Sequence, residues 1–350
     1  MKSNYDILGN HIRLIDTRNR ESITDRVLGI NIDKFFMPSV ANVIGTDLSK
    51  YKLITKGKFA CNPMHVGRDE RLPVALYDEE EPAIVSPAYF MFEVIDNRIL
   101  NEDYLMMWFR RPEFDRICWL HTDGSVRGGI TWDDICRLEL PIPPIEKQIE
   151  IVNSYKAITK RIALKQKIND NLESMLTAVY FEQFYSSKAS EYTKLSDLMV
   201  FGNGKSRPKT NGTIPVYGGN GVLSYTDKYN AENTVLIGRV GAYCGSVYLE
   251  QSICWVSDNA IFAKSKITND EFFDYFLLKG LNLFNHHVGT GQQLLTQDIL
   301  NNIEVPKPDI EQIGLFNMKA KSVFETISAN KCEIIRLKKL SDLLLARLAS

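Results

Sequence analysis

The sequence predicts an α+β protein: two mixed α/β units separated by two long antiparallel coiled-coil helices, related by a pseudo-twofold internal repeat. Three observations predict it. First, the chain superimposes on itself without gaps at an offset of 165 residues. His121 falls on His286, Gly124 on Gly289, Thr131 on Thr296, Asp133 on Asp298 and Glu139 on Glu304; Pro141, Pro143, Ile145 and Glu146 fall on Pro306, Pro308, Ile310 and Glu311. Second, each Pro-x-Pro opens a segment whose seam residues advance by alternating steps of four and three. The first copy runs Ile151, Tyr155, Ile158, Ile162, Lys165, Asn169, Leu172, Leu176, Val179; the second runs Phe316, Ala320, Val323, Ile327, Asn330, Ile334, Leu337, Ser341, Leu344. Such steps average ~3.5 residues, the period of a coiled-coil seam. Third, short β-type runs punctuated by Gly, Pro and Asn precede each seam.

The elements follow in order. Residues 1–140 form the first globular unit, with β-type runs at Ala83-Ile84-Val85 and Tyr89-Phe90-Met91-Phe92. A helix is predicted over Glu102–Arg111, capped near Asn101 and stopped by Pro112. Pro141-Ile142-Pro143-Pro144 forces an extended connector, because proline disfavours helix in the residue before it. Residues 141–187 form the first spacer region, whose helix runs from Glu146 to about Tyr185, roughly 60 Å at ~1.5 Å per residue. Residues 188–305 form the second globular unit, entered through the linker Ser186–Ser190. Its strand-and-turn patterns are Ile214–Gly221, Thr234–Arg239 and Ile253–Val256, and Asp270–Lys279 is its short helix. Residues 306–350 form the second spacer helix. A seam cannot be buried by one helix, so the two pair, and a whole unit between them makes the antiparallel arrangement natural. The polar seam residues Lys165, Asn169 and Asn330 are of the kind that set register at a cost in stability.

Composition excludes several classes. Apolar content of 44% and charged content of 24% are ordinary for a globular protein. No apolar run approaches the ~20 residues of a membrane span, and the N-terminus lacks a signal-peptide core, so a cytoplasmic location is expected. The cysteines at 61, 118, 136, 244, 254 and 332 form no CxxC pair, which argues against a zinc site or a disulfide framework. The net charge of −1 gives no global attraction to phosphate. Two basic runs stand out locally: Lys50, Lys52, Lys56 and Lys58, with Arg68 and Arg71 behind them, and Lys205, Arg207 and Lys209. Each reads either as a phosphate-facing patch or as solvated surface.

Motifs of catalysis are absent. Gly204-Lys205-Ser206 ends like a phosphate loop, but that pattern needs glycine where Met199 stands. Phe201-Gly202-Asn203-Gly204 lacks the strand–loop–helix and acidic ribose ligand of an S-adenosylmethionine loop. Asn62-Pro63-Met64-His65 lacks the second proline and the stacking ring of an aminomethyltransferase tetrad. The five histidines form no HExxH pair, and there is no Gly-x-Ser-x-Gly elbow. No catalytic residue and no metal ligand is assigned; the reading is recognition.

Here a resemblance enters. The duplicated junction, Leu140-Pro141-Ile142-Pro143-Pro144-Ile145-Glu146-Lys147-Gln148 and Val305-Pro306-Lys307-Pro308-Asp309-Ile310-Glu311-Gln312, resembles the specificity subunits of type I restriction–modification systems, the HsdS family. The family pattern is close to Pro-apolar-Pro-Pro-apolar-Glu-x-Gln, and the second copy departs from it at Asp309. Pro215–Gly221 with Leu236–Gly241, and Lys56–Arg68, resemble the family's target-recognition domains. The resemblance implies a non-catalytic subunit of a DNA adenine methyltransferase and restriction complex. Each globular unit would read one half of a bipartite, asymmetric DNA target. The helices would act as spacer and as platform for two methyltransferase subunits, which carry the S-adenosylmethionine, and motor-nuclease subunits would join for restriction.

Base reading needs donors and acceptors on loops that enter a groove. The candidates are Lys58, Asn62, His65, Arg68, Ser125 and Arg127 in the first unit. In the second they are Lys205, Arg207, Asn220, Arg239, Tyr243, Thr290, Gln292 and Gln293. The candidate helix-seam and partner residues are Ile151, Tyr155, Ile158, Ile162, Leu172, Leu176, Val179, Phe316, Val323, Ile327, Ile334, Leu337 and Leu344. The alternatives are a free-standing methyltransferase or nuclease, which would need its own cofactor or metal, and a helical scaffold indifferent to DNA sequence.

Overall fold

The computed structural model describes residues 5–64, 66–122, 128–185, 191–289 and 291–348. The chain divides into two compact units, unit 1 comprising Met1–Leu164 with Glu333–Ser350 and unit 2 comprising Lys165–Cys332. Both boundaries fall inside a long helix, so each unit contains a stretch of each.

Unit 1 runs β1 (Tyr5–Ile7), β2 (Ile12–Leu14), β3 (Val27–Ile30), β4 (Phe36–Pro38), β5 (Lys52–Ile54), β6 (Phe59–Cys61), α1 (Val66–Asp69), β7 (Val74–Leu76), β8 (Ala83–Val85) and β9 (Phe90–Val94). Helices α2 (Glu102–Phe109), α3 (Pro112–Leu120) and α4 (Trp132–Cys136) follow, then β10 (Glu139–Pro141) and the long α5 (Ile145–Tyr185). Two four-stranded sheets form, in the orders β2-β9-β6-β7 and β4-β3-β8-β5. The core lies between the first sheet and α2. Phe59 stacks on Phe92 at 5.0 Å, and Phe109 meets both rings edge-on. Asn101 caps α2, its side chain accepting from the Tyr104 N–H at 3.1 Å. Pro112 does more than stop that helix. It occupies the first turn of α3, where a missing N–H costs nothing. The polar Lys34 is buried at the base of this region, donating to Asp115 Oδ1 at 2.7 Å and to the Phe109 carbonyl.

Unit 2 runs β11 (Tyr192–Lys194), α6 (Leu195–Leu198), β12 (Met199–Asn203), β13 (Ile214–Gly218), β14 (Gly221–Thr226), β15 (Ala231–Gly238), β16 (Val247–Val256), β17 (Ala260–Ser265), α7 (Phe272–Gly280), α8 (Gln297–Asn301), β18 (Glu304–Pro306) and the long α9 (Ile310–Arg347). Its six-stranded sheet has the order β12-β17-β15-β16-β13-β14. The first four strands repeat the antiparallel pattern of β2-β9-β6-β7 in unit 1. What differs is the insertion: unit 1 adds the separate β3–β4–β5–β8 sheet, and unit 2 adds the β13–β14 hairpin.

The repeated junction folds alike in both units. β1 pairs with β10 and β11 with β18, antiparallel, so that Tyr5 lies opposite Pro141 and Tyr192 opposite Pro306. Thr131 and Thr296 cap α4 and α8 through bonds of 3.2 Å to Asp134 N and Ile299 N. The next position diverges. Gln148, fully buried, accepts from Asn101 N at 2.9 Å and donates to the carbonyls of Ile99 and Pro143, tying α5 to the start of α2. Ile313 stands at that repeat position, and Asn317, one turn later, takes over the task. It accepts from Phe273 N at 2.8 Å and donates to Asp270 O and Thr268 Oγ1 at the start of α7.

The long helices run antiparallel within each unit. In unit 2, Asn330 meets Lys165 and Asn169, and Gln183 reaches the Gln312 carbonyl. In unit 1, Arg161 pairs with Glu333 at 2.5 Å, and Val152 and Tyr155 share a core with Leu345 and Leu348. Along α9 the buried positions include Phe316, Ala320, Ile327, Asn330, Ile334 and Ser341, with Val323, Leu337 and Leu344 half-buried. On α5, Tyr155, Asn169 and Leu176 are buried, and Ile151, Ile158, Ile162, Leu172 and Val179 are half-buried. The seams do not close on each other alone. Leu176 and Tyr180 of α5 and Phe316, Phe324 and Ile327 of α9 enter the core of unit 2 with α7.

The polar seam layer of unit 2 is satisfied: Lys165 Nζ donates to Asn330 Oδ1, and Asn330 Nδ2 to Asn169 Oδ1, both at 2.8 Å. Asn330→Leu removes both bonds at once and is expected to cost about 1–3 kcal/mol, because the buried Asn169 amide oxygen loses its donor and the Lys165 ammonium loses one acceptor. Thermal melting of Asn330→Leu, Asn169→Leu and the double variant would show coupling between the two sites.

A second prediction concerns pH. Asp274 of α7 is buried, and desolvation, followed by the nearby Glu271 carboxylate, raises its carboxyl to about 8. Glu271 is itself held by the Ser265 N–H at 2.7 Å and Lys264 at 3.2 Å. A raised folded-state value means that the folded chain holds a proton which the unfolded chain, with its ordinary value near 3.9, has released. Stability from this site is therefore complete below about pH 4 and is lost as pH rises towards 8. Asp274→Asn should raise the melting temperature at pH 8 and flatten its fall between about pH 5 and pH 8.

Candidate nucleic-acid interface

One end of the unit 2 sheet gathers five loops. The turn Ser257–Ala260 between β16 and β17 sits among them. It is closed by Ala260 N–H to Ser257 O at 3.0 Å and receives the Arg239 N–H on the Asn259 carbonyl at 3.0 Å. Gly204 N donates to Ala260 O, Lys205 N to Val256 O, and Ser257 N to Tyr217 O. The loop after β15 is clipped in turn to the loop before α8, with Gly241 N donating to Gln293 O at 3.0 Å and Leu295 N to Arg239 O at 2.9 Å. A side chain added at Gly219, beside Asn220, would lie 3.7 Å from both Tyr243 and the Asn259 carbonyl. The structure thus collects Lys205, Asn220, Arg239, Tyr243, Gln292 and Gln293 at one edge. Backbone bonds hold them there, which leaves the side chains available.

Unit 1 builds the same edge. Ile130 N donates to Pro63 O at 3.2 Å and Gly67 N to Gly128 O at 3.0 Å. These acceptor and donor loops correspond to those of Leu295–Arg239 and Gly241–Gln293. The strand registers agree, since Cys61 pairs with Phe90 and Val74 as Ile237 pairs with Ile261 and Val247. By that register Pro63 occupies the place of Arg239 and Gly128 that of Gln293. Asn62 lies on this edge, its Oδ1 turned back on the Met64 N–H at 3.1 Å, and Lys58 lies at the other end of β6. His65, Ser125, Arg127 and Thr290 lie outside the described residues, as does the side chain of Arg68.

The basic runs separate cleanly. In unit 1, Lys50 pairs with Asp47 at 3.4 Å, Lys56 pairs with Glu80, and Lys52 is buried, donating to Tyr89 O at 2.6 Å. Arg71 pairs with Asp33 at 2.9 Å. That stretch is mostly neutralised locally. In unit 2, Lys205 and Lys209 are exposed, and among the described residues no carboxylate pairs with them. Arg207 donates to Ser224 Oγ at 3.1 Å and Leu223 O at 3.2 Å, which pins it to the β13–β14 hairpin. Arg239 keeps a buried Nε without a partner among the described residues.

Sequence reasoning missed the central turn. Asp258 and Asn259 are both exposed on it. Its counterpart in unit 1 is Ser86–Tyr89, closed by Tyr89 N–H to Ser86 O at 3.1 Å. A signal was present in Val85-Ser86 against Val256-Ser257, but insertions take this pair out of the repeat's main offset.

The remaining chemistry is structural. A side chain at Gly202 would strike the Phe262 ring at 2.1 Å, and one at Gly204 the Ser257 carbonyl at 1.9 Å, so packing accounts for these glycines. Burial pushes the Cys61 and Cys118 thiols up, and that of Cys254 up to about 12, away from reactive thiolates. Among the described residues, no cluster of His, Cys, Asp and Glu is placed to hold a metal, and no helix is long and apolar enough to cross a membrane.

The chain resembles known proteins in sequence and in structure. Residues 188–340 match the family model described as the type I restriction modification DNA specificity domain. The chain is similar in structure to the S subunit of a type I restriction-modification system from M. genitalium, with a TM-score of 0.63 and 17% identity over 99% of this chain and 96% of that one. It also matches a chain from a structural study of complex assembly and conformational transition of the type I R-M system (TM-score 0.49, 17% identity, 98% and 96% covered). A third match is the HsdS subunit from Thermoanaerobacter tengcongensis (TM-score 0.36, 16% identity, 99% and 96% covered). No curated protein matches the chain. Residues 188–340 thus match the type I restriction modification DNA specificity domain, and the fold of the chain is similar to that of the M. genitalium S subunit.

Proposed function

We propose that this chain is the DNA sequence-recognition subunit of a type I restriction–modification complex, in which unit 1 and unit 2 each read one half of a bipartite, asymmetric target. The observation that carries this reading is the loop edge built twice by the same backbone bonds and decorated differently, Arg239 and Gln293 in one unit against Pro63 and Gly128 in the other. Like scaffolds with unlike side chains are what two half-sites of different sequence require. The long helices serve as spacer between the half-sites and as platform for two methyltransferase subunits, and motor-nuclease subunits complete the restriction assembly. S-adenosylmethionine and adenine methylation belong to the partner subunits; this chain's own residues bind and orient the duplex.

Exchanging residues 1–140 for the equivalent unit of another specificity subunit is expected to change one half of the methylated sequence and leave the other half and the gap unchanged. Methylome sequencing of cells carrying the whole system reads this directly, and simultaneous change in both halves would refute the assignment of one unit to one half-site.

The spacer role has its own test. One heptad inserted after Asn169 and one after Ile334 keeps both seams in phase. It adds ~10 Å of helix, or about three base pairs at ~3.4 Å each. The preferred gap should lengthen by that amount with both half-sequences kept. A folded, active variant with an unaltered gap would show that the helices do not set it.

A further inference from the structure

We infer that the Asp258–Asn259 turn of unit 2 reads bases directly, with Asn259 directed to adenine and Asp258 to cytosine, and that its unit 1 counterpart, Pro87-Ala88, offers only apolar contact. This rests on the DNA-recognition reading above and names residues within it. Four observations carry it. The turn lies at the centre of the loop edge, bonded to the loops of Gly204–Lys205, Tyr217 and Arg239. Among the described residues its backbone bonds run through the Asn259 carbonyl and the peptide groups of Ser257 and Ala260, so the Asp258 and Asn259 side chains take no part in holding it. Both side chains are exposed, and among the described residues neither has a hydrogen-bond or ion-pair partner. The corresponding turn in unit 1 has the same closing bond but carries proline and alanine.

The chemistry selects the bases. A carboxylate is repelled by phosphate, so an exposed aspartate on a duplex-facing edge is tolerated at a base edge and not along the backbone. There it can accept from the cytosine N4 amino group. The asparagine amide matches the adenine N6 and N7 edge with one donor and one acceptor. The flanking Lys205 and Arg239 loops supply the positive charge that keeps the aspartate from being expelled. Rigidity completes the argument, since a reading group must be positioned by its own scaffold, and here three loops fix the turn through main-chain bonds. At the matched position Ala88 can touch a thymine methyl but has no hydrogen-bonding group with which to discriminate.

The test uses the complete methyltransferase assembly. Methylation rates are measured on the cognate duplex and on a panel with every single-base change in the half-site assigned to unit 2. Asn259→Ala is expected to lower the rate on the cognate duplex by about 10- to 100-fold, the usual worth of a bidentate base contact, and to leave the rate on duplexes already changed at one adenine where it was. Discrimination at that position then vanishes while the others persist. Asp258→Ala should do the same at one cytosine. The double exchange Asp258→Pro with Asn259→Ala, which installs the unit 1 turn, should relax both positions. A uniform fall across the whole panel would mean a structural role and overturn the proposal, as would unchanged discrimination. Melting curves matching the unaltered assembly establish that the variants fold. An unaltered assembly with no sequence preference would instead refute the recognition reading itself.

Discussion

Each long helix carries an apolar seam that it cannot bury alone, and the rest of the structure is arranged around that need. In each unit the stretch of α5 meets an antiparallel stretch of α9, and the pair is roofed by the helix that packs on the sheet. In unit 2, α7 brings Phe272, Phe273 and Phe276 against Tyr180, Phe316 and Phe324, so helix pair and sheet share one hydrophobic core. In unit 1, Val152, Tyr155, Leu345 and Leu348 join Tyr104, Leu105 and Trp108 in the same way. Burying side chains of this size is worth about 1.5–3 kcal/mol each. The helices are thus part of each unit's core as well as its exit.

This shared core requires the polar groups at the junction to be satisfied with care. A helix start buried against another helix exposes unpaired N–H groups to an apolar setting. The two units solve the problem with different side chains one turn apart. Gln148 serves α2 and Asn317 serves α7, each accepting from a backbone N–H, Gln148 donating to two carbonyls and Asn317 to a carbonyl and the Thr268 hydroxyl. The repeat therefore preserves the requirement more faithfully than the residue that meets it.

The loop edge shows a related division of labour. Main-chain bonds position it, so side chains there are relieved of structural work. Arg239 is held by its own N–H and carbonyl, and the same positions in unit 1 accommodate Pro63, which has no N–H to give. A scaffold that tolerates proline and arginine at one site can change what it presents without changing its fold. The acid-rich surroundings of Lys50, Lys52 and Lys56 contrast with Lys205 and Lys209, which pair with no carboxylate among the described residues, and this shows why a basic run in sequence does not by itself locate a basic face.

The sequence alone determined the repeat, the two long helices with their seam register, and the Asn101 cap, because helix periodicity and capping are local properties of spacing. The loops of Asn62–Arg68, Arg239–Tyr243 and Gln292–Gln293 were legible as turn-rich segments beside strands. Only the tertiary structure decided that β1 and β11 pair with β10 and β18, that Gln148 and Asn317 perform one task, and that the Asp258–Asn259 turn lies amid the other loops. It also decided which lysines are neutralised. Sheet pairing and ion pairing join residues far apart in the chain, and insertions such as the β3–β4–β5–β8 sheet displace equivalent residues from any single offset. No local pattern carries that information.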